Sequence, residues 1–195
     1  NEQRSVTILN TKKYFDKIND FQLVILYQPN NSFNDILQEI KAQKLNSFTI
    51  SGSITNWNLL NNSQDYFKQT ITNQTEDYQP NLNKNYNTFI VDNLDFNNYP
   101  PLKSEFGKTE FLVPADVILY KTVNGITTDQ SLLSTIEFEN TKHALLSGEG
   151  IWRWRAQSYL DTESFSDFDN FIGKLIQYLS SNKKRTRINI DYKSF

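Results

Sequence analysis

The chain has 195 residues, a length that suits one filled core, so a single domain over 1–195 is expected. A net charge of −2 leaves no large positive field to hold nucleic acid. The absence of Cys excludes disulfides, thiolate nucleophiles and Cys-ligated metals. Aromatics make up 14% of the residues, enough large side chains to fill a core despite a polar average. No run reaches the roughly 18 apolar residues of a membrane span, and no signal peptide is visible. The chain starts at Asn1 and holds no Met, so it reads as a piece of a longer protein, and any anchor or export signal could lie outside the piece.

In chain order, Val6–Leu9 is a short apolar run with the look of a strand. Leu23–Tyr27 is a continuous apolar run between Asp20 and Gln28-Pro29, the pattern of a strand buried on both faces. Ser32 opens a helix, with Asp35 completing a capping-box variant and Phe33, Ile36, Leu37 and Ile40 on one face. Ser47–Ser51 reads as a second strand with Phe48 and Ile50 on one face. Strand, helix, strand implies a right-handed crossover and a parallel pair.

The stretch from Thr55 to Asn87 is rich in Asn and Gln but interleaved with Trp57, Tyr66, Phe67, Tyr78 and Tyr86, so an ordered excursion packed on the core is expected. Asn58-Leu59-Leu60 and Tyr66-Phe67 are assigned to short helices, Gln79-Pro80-Asn81 to a loop and Thr88–Val91 to a strand. Pro100-Pro101 breaks any helix. Val117–Tyr120 begins a longer strand that runs to Asn124-Gly125, a strong hairpin signal, with its partner between Ile126 and Phe138. A second turn near Asn140 leads into His143–Ser147, so an antiparallel meander is attached to a parallel start.

Gly148-Glu149-Gly150 reads as a tight turn before a helix. The last helix, about Ser164 to Ser181, carries Phe165, Phe168, Phe171, Ile172, Leu175, Ile176 and Leu179 as one stripe, with Ser164 and Asp167 as a capping box. The cluster Lys183, Lys184, Arg185 and Arg187 then sits where cations suit the negative end of the helix dipole.

Chemistry is sparse. His143, the single His, lies at the start of its strand, the wrong end of a parallel sheet for a partner at a strand's carboxyl end, so it is expected as a surface or strand-edge residue. No metal site can be assembled around it, and no phosphate-binding glycine motif occurs, so neither a metal nor a cofactor is expected. No pair of Asp or Glu stands out for acid–base work, and the sequons at Asn30, Asn61 and Asn73 are those an Asn-rich chain holds by chance.

Two segments are singled out. Ser51-Gly52-Ser53 follows a strand directly, where parallel sheets line a ligand crevice; the plainer reading of Gly52 is a loop position with positive φ. Glu149 and the alternating Trp152, Arg153, Trp154 and Arg155 stand at a helix start, where cations oppose the dipole. Pairing with a carboxylate, stacking on Trp, or holding an anionic ligand would each offset that.

The segment Leu145-Leu146-Ser147-Gly148-Glu149-Gly150-Ile151-Trp152-Arg153-Trp154-Arg155 resembles a signature of large Bacteroidetes membrane proteins of unknown function, often described as von Willebrand factor A-like. The likeness extends to Gln22–Pro29, Ala115–Tyr120, Thr127–Asp129, Tyr178-Leu179 and the basic end at Lys183–Arg187. Their soluble portion has a class I glutamine amidotransferase-like fold. The resemblance implies a flavodoxin-like, mostly parallel sheet with helices on both faces, an antiparallel hairpin extension, and a first strand and helix that precede Asn1. The amidotransferase Cys would fall at Ser51-Gly52-Ser53 and the His near Gly148–Gly150; both are absent here.

The expected function is therefore a non-catalytic interaction or ligand-sensing module of a cell-envelope protein, the periplasmic portion of an inner-membrane protein. Its partner would be an envelope protein or carbohydrate, and it would meet the membrane only through segments outside this chain. The expected binding residues are Ser51, Gly52, Ser53, Glu149, Trp152, Arg153 and Arg155, with no catalytic residue. The rival is a cryptic serine hydrolase using Ser51 or Ser53 with a carboxylate or Lys as base.

Overall fold

The computed structural model describes residues 17–91 and 94–181. The expected strand at Val6–Leu9 and the cluster at Lys183, Lys184, Arg185 and Arg187 lie outside the described residues.

Among the described residues nine strands and four α-helices follow one another: β1 (Val24–Tyr27), α1 (Asn34–Ala42), β2 (Ser47–Ile50), α2 (Trp57–Ser63), β3 (Phe67–Gln69), β4 (Thr75–Leu82), β5 (Leu102–Glu105), β6 (Thr109–Phe111), β7 (Ala115–Val123), β8 (Ile126–Phe138), β9 (Thr141–Leu146), α3 (Trp152–Thr162) and α4 (Ser166–Ser180). Seven strands form one sheet in the order β1-β2-β9-β8-β7-β4-β5, and β3 pairs with β6 beside it. The sheet is parallel through β1, β2 and β9 and antiparallel from β9 to β5. The expected mixed α/β class holds.

Helices cover both faces because each strand alternates its side chains. Leu26 and Leu145 join Leu37, Ile40, Trp57 and Leu60 in a core under α1 and α2. Phe48, Ala144 and Leu146 point the other way, to Trp154, Phe171 and Leu175 of α3 and α4. The α4 stripe packs as its spacing implied, through Phe168, Phe171, Leu175 and Leu179. Its expected capping box does not form: the Ser166 amide donates to the Ser164 hydroxyl at 3.1 Å.

The Asn124-Gly125 hairpin forms with φ of 49° and 77°, the doubly positive turn that matches strand twist. Glu139 and Asn140, with φ of 47° and 69°, repeat it between β8 and β9.

Five expectations are corrected. The β1 strand is an edge strand with Leu26 buried and Ile25 and Tyr27 half exposed, because α3 and α4 lie over the middle of the sheet. The Asn30 side chain, not Ser32, caps the turn that leads into α1, accepting from the Ser32 amide at 3.0 Å. Tyr66-Phe67 is not helical: the Gln64 side-chain oxygen takes the amides of both residues, at 2.8 and 2.9 Å, and turns the chain into β3.

Gln79-Pro80-Asn81 lies in β4, which pairs with β5 up to Tyr78 and with β7 from Gln79. Beyond Tyr78 the β5 side is unpaired, so a residue without an N–H is tolerated. The antiparallel extension is larger than one hairpin for this reason. Thr88–Val91 is irregular; Phe89 docks on Phe171 and Tyr178 at ring distances of 6.4 and 6.3 Å.

Candidate functional site

The carboxyl ends of β1, β2 and β9 bring Gln28, Ser51-Gly52-Ser53 and Glu149 together. The turn expected at Gly148–Gly150 is there, and Glu149 is fixed by its amide donating to the Lys103 carbonyl at 2.9 Å. Its carboxylate accepts from Gln28 Nε2 at 2.6 Å, from the Ser53 amide at 3.1 Å and from the Ser53 hydroxyl at 3.0 Å. Gln28 returns its side-chain oxygen to the Ile54 amide at 3.2 Å. Charge-assisted bonds of this kind are the stronger ones.

Gly52 needs space rather than positive φ. A Cβ there would stand 2.5 Å from Gln28 Cδ and 2.5 Å from Glu149 Oε2. The Gln28 and Glu149 side chains therefore fill the space over the turn. Ser51 is buried, and its hydroxyl donates to the Leu146 carbonyl at 3.2 Å.

The other expected binding residues go elsewhere. Trp152 is 69% exposed, while Trp154 is fully buried and donates from Nε1 to the Pro100 carbonyl at 2.8 Å. Arg153 donates to the Pro101 carbonyl and packs on Gly150. Arg155 forms a two-pronged pair with Asp169, at 2.7 and 3.0 Å, and lies 3.9 Å over the Phe165 ring. Both cations at the start of α3 are thus satisfied within the fold. Arg155 has left the crevice, and the expectation that it lines one is corrected.

His143 is also corrected: it is buried, not at the surface. Parallel pairing places it level with Ser47, and the two side chains meet at 2.8 Å between Ser47 Oγ and His143 Nδ1. Thr141 Oγ1 lies 2.7 Å from Nε2 and donates its own proton to the Phe138 carbonyl. Thr141 must then accept from Nε2–H, which leaves Nδ1 to accept from Ser47. The Tyr66 ring stacks on the imidazole at 4.2 Å, and its hydroxyl bonds Ser47.

Desolvation pushes the His143 imidazole down to about 4 and the Tyr66 phenol up to about 12. A general base works best near the operating pH, and a His backed by a hydroxyl lacks the carboxylate that steadies an imidazolium. The Ser47–His143 pair is a hydrogen-bonded floor.

That floor closes a cavity of about 180 Å³ between α1, α2 and the sheet. Its walls include Leu26, Leu37, Ile40 and Leu60, and Lys41, Lys44, Asp65 and Glu139 also line it. These four form two exposed ion pairs, Lys41–Asp65 at 2.6 Å and Lys44–Glu139 at 2.9 Å. Sequence reasoning missed this place. Both Ser47 and His143 fall in expected strands, but nothing in the sequence states that β9 lies beside β2.

Among the described residues no cluster of His, Cys, Asp or Glu could hold a metal, and no helix is long and apolar enough to cross a membrane. No protein-family model, curated protein or solved structure matches this chain.

Proposed function

We propose that this domain is a non-catalytic ligand-sensing or interaction module, with the flavodoxin-like architecture of class I glutamine amidotransferase-like domains and none of their thiol chemistry. The observation that carries the reading is Glu149. Its carboxylate, with Gln28, occupies the turn after β2 where an elbow nucleophile would need open approach. Ser51 is spent on the Leu146 carbonyl and Ser53 on Glu149. The imidazole of His143 is level with Ser47, four residues of strand from Ser51, or roughly 13 Å away.

The resemblance of the Trp–Arg segment supports placing the module in a cell-envelope protein of the Bacteroidetes type, as a periplasmic portion facing an envelope protein or carbohydrate. An activity-based fluorophosphonate probe tests the non-catalytic reading. The expected result is no labelling above that of heat-denatured protein. Labelling of Ser47, Ser51 or Ser53 that disappears in the corresponding Ser→Ala variant overturns it in favour of a hydrolase.

A further inference from the structure

We propose that the cavity floored by Ser47, His143 and Tyr66 binds a small uncharged aromatic molecule bearing one hydroxyl, a compound of about the size of phenol. This deepens the reading of the domain as a binder by naming the class of ligand.

Size comes first. An apolar cavity of about 150 Å³ is known to accept benzene. This one, at about 180 Å³, has room for the ring and one substituent. Shape is set by Tyr66 and His143, stacked within 13° of parallel, and by aliphatic walls from Leu26, Leu37 and Ile40. Flat apolar surfaces of this kind favour a ring over a flexible chain, which would lose more conformational freedom on entry.

Charge is excluded at both ends. At the mouth each Lys faces its own carboxylate, Lys41 on Asp65 and Lys44 on Glu139, so no net field draws an ion. At the floor the imidazole spends both nitrogens on Ser47 and Thr141. A carboxylate or ammonium brought down to this floor would meet no opposite charge, and an unpaired buried charge is costly.

One polar group is left for a ligand. Thr49 stands two residues along β2 from Ser47, on the same face, and lines the cavity. Its side chain makes no hydrogen bond among the described residues, whereas the hydroxyls of Ser47, Ser63 and Thr141 are all engaged. A pocket that is mainly apolar with one placed hydroxyl orients a ligand through a single hydrogen bond.

Titration of the whole chain with phenol, benzene and benzoate, read by amide chemical shifts, tests this. Phenol should shift amides of α1 and β2 saturably, and benzoate should bind at least about tenfold more weakly. Thr49→Val, which keeps the shape, should weaken phenol about tenfold and leave benzene unchanged, as the loss of one hydrogen bond implies. Ile40→Trp should abolish binding of both rings. No saturable phenol binding, benzoate as tight as phenol, or a Thr49→Val variant that holds phenol undiminished overturns the proposal. Fluorophosphonate labelling reads catalysis alone, so the binder reading and the ligand class fail separately.

Discussion

Ser47 and His143 face each other across two parallel strands, hydroxyl to ring nitrogen at 2.8 Å, both buried. Their neighbours supply every hydrogen bond the imidazole makes, and all come from uncharged groups. Burial keeps the ring neutral, and that has a consequence for pH.

The folded imidazole protonates at about 4 and the unfolded one at 6.5. Between those values the unfolded chain holds the proton and the folded chain does not. This contribution to stability is therefore full above 6.5, falls as pH drops toward 4, and levels off below. Over the whole interval it amounts to about 3 kcal/mol. Urea midpoints for wild type and His143→Phe at pH 4.5 and 7 should show a smaller acid loss in the variant. Equal losses would mean that the imidazole protonates inside the fold as easily as outside it.

Glu149 and Gly52 should behave as one unit. Glu149→Ala strands Gln28 Nε2 and the Ser53 amide, and should cost about 1–3 kcal/mol. Gly52→Ala pushes a methyl into Gln28 Cδ and Glu149 Oε2, both ends of flexible side chains, so its cost comes from breaking the same bonds. In a double-mutant cycle by urea denaturation, Gly52→Ala should cost clearly less once Glu149 is Ala. Simple additivity would show that the two do not share a network.

Lys121 in β7 is 1% exposed, its ammonium has no hydrogen-bond partner, and it lies 4.4 Å over the Tyr78 ring. Desolvation pulls it down to about 8 from 10.5. Below about 8 both states carry the proton and the burial penalty is full. As pH climbs toward 10.5 only the unfolded chain keeps it, so stability rises. Lys121→Met should stabilise the protein at pH 7 by up to about 3 kcal/mol and remove that alkaline rise. The cation–π contact offsets part of the gain. A destabilised variant at pH 7 would show that the ammonium is better served than its surroundings suggest.

The two neighbouring Trp residues of α3 should separate cleanly. Trp154→Ala empties a fully buried site and orphans the Pro100 carbonyl, at a cost of about 3–5 kcal/mol. Trp152→Ala alters a side chain that is 69% exposed and should stay within about 0.5 kcal/mol. Thermal melts of both variants check this, and a Trp152 effect as large as that of Trp154 would contradict the packing described.

Local pattern made much of this protein legible. The apolar run of β1, the crossover through α1 to β2, the Asn124-Gly125 hairpin and the α4 stripe follow from periodicity and turn chemistry within a short window. Failures occurred where a distant partner decided. Pro80 argued for a loop, yet β4 changes neighbours at that point and has no need of its missing N–H on one side. Tyr66-Phe67 looked helical, yet the Gln64 amide took over the backbone bonds. Ser51, Gly52, Ser53 and Glu149 were singled out from sequence and do converge, but on one another, while Arg155 turned away to Asp169.

The sequence by itself determined the strongly patterned elements β1, α1, β2, α4 and the Asn124-Gly125 hairpin, and that the chain holds no thiol, because propensity and residue identity are local properties. Tertiary structure alone decided that β9 lies beside β2, that Glu149 fills the turn at Gly52, and that Ser47, Tyr66 and His143 floor one cavity. The Ser47–His143 and Ser53–Glu149 bonds each join residues 96 positions apart. Register and burial choose such partners, and no short-range pattern encodes them.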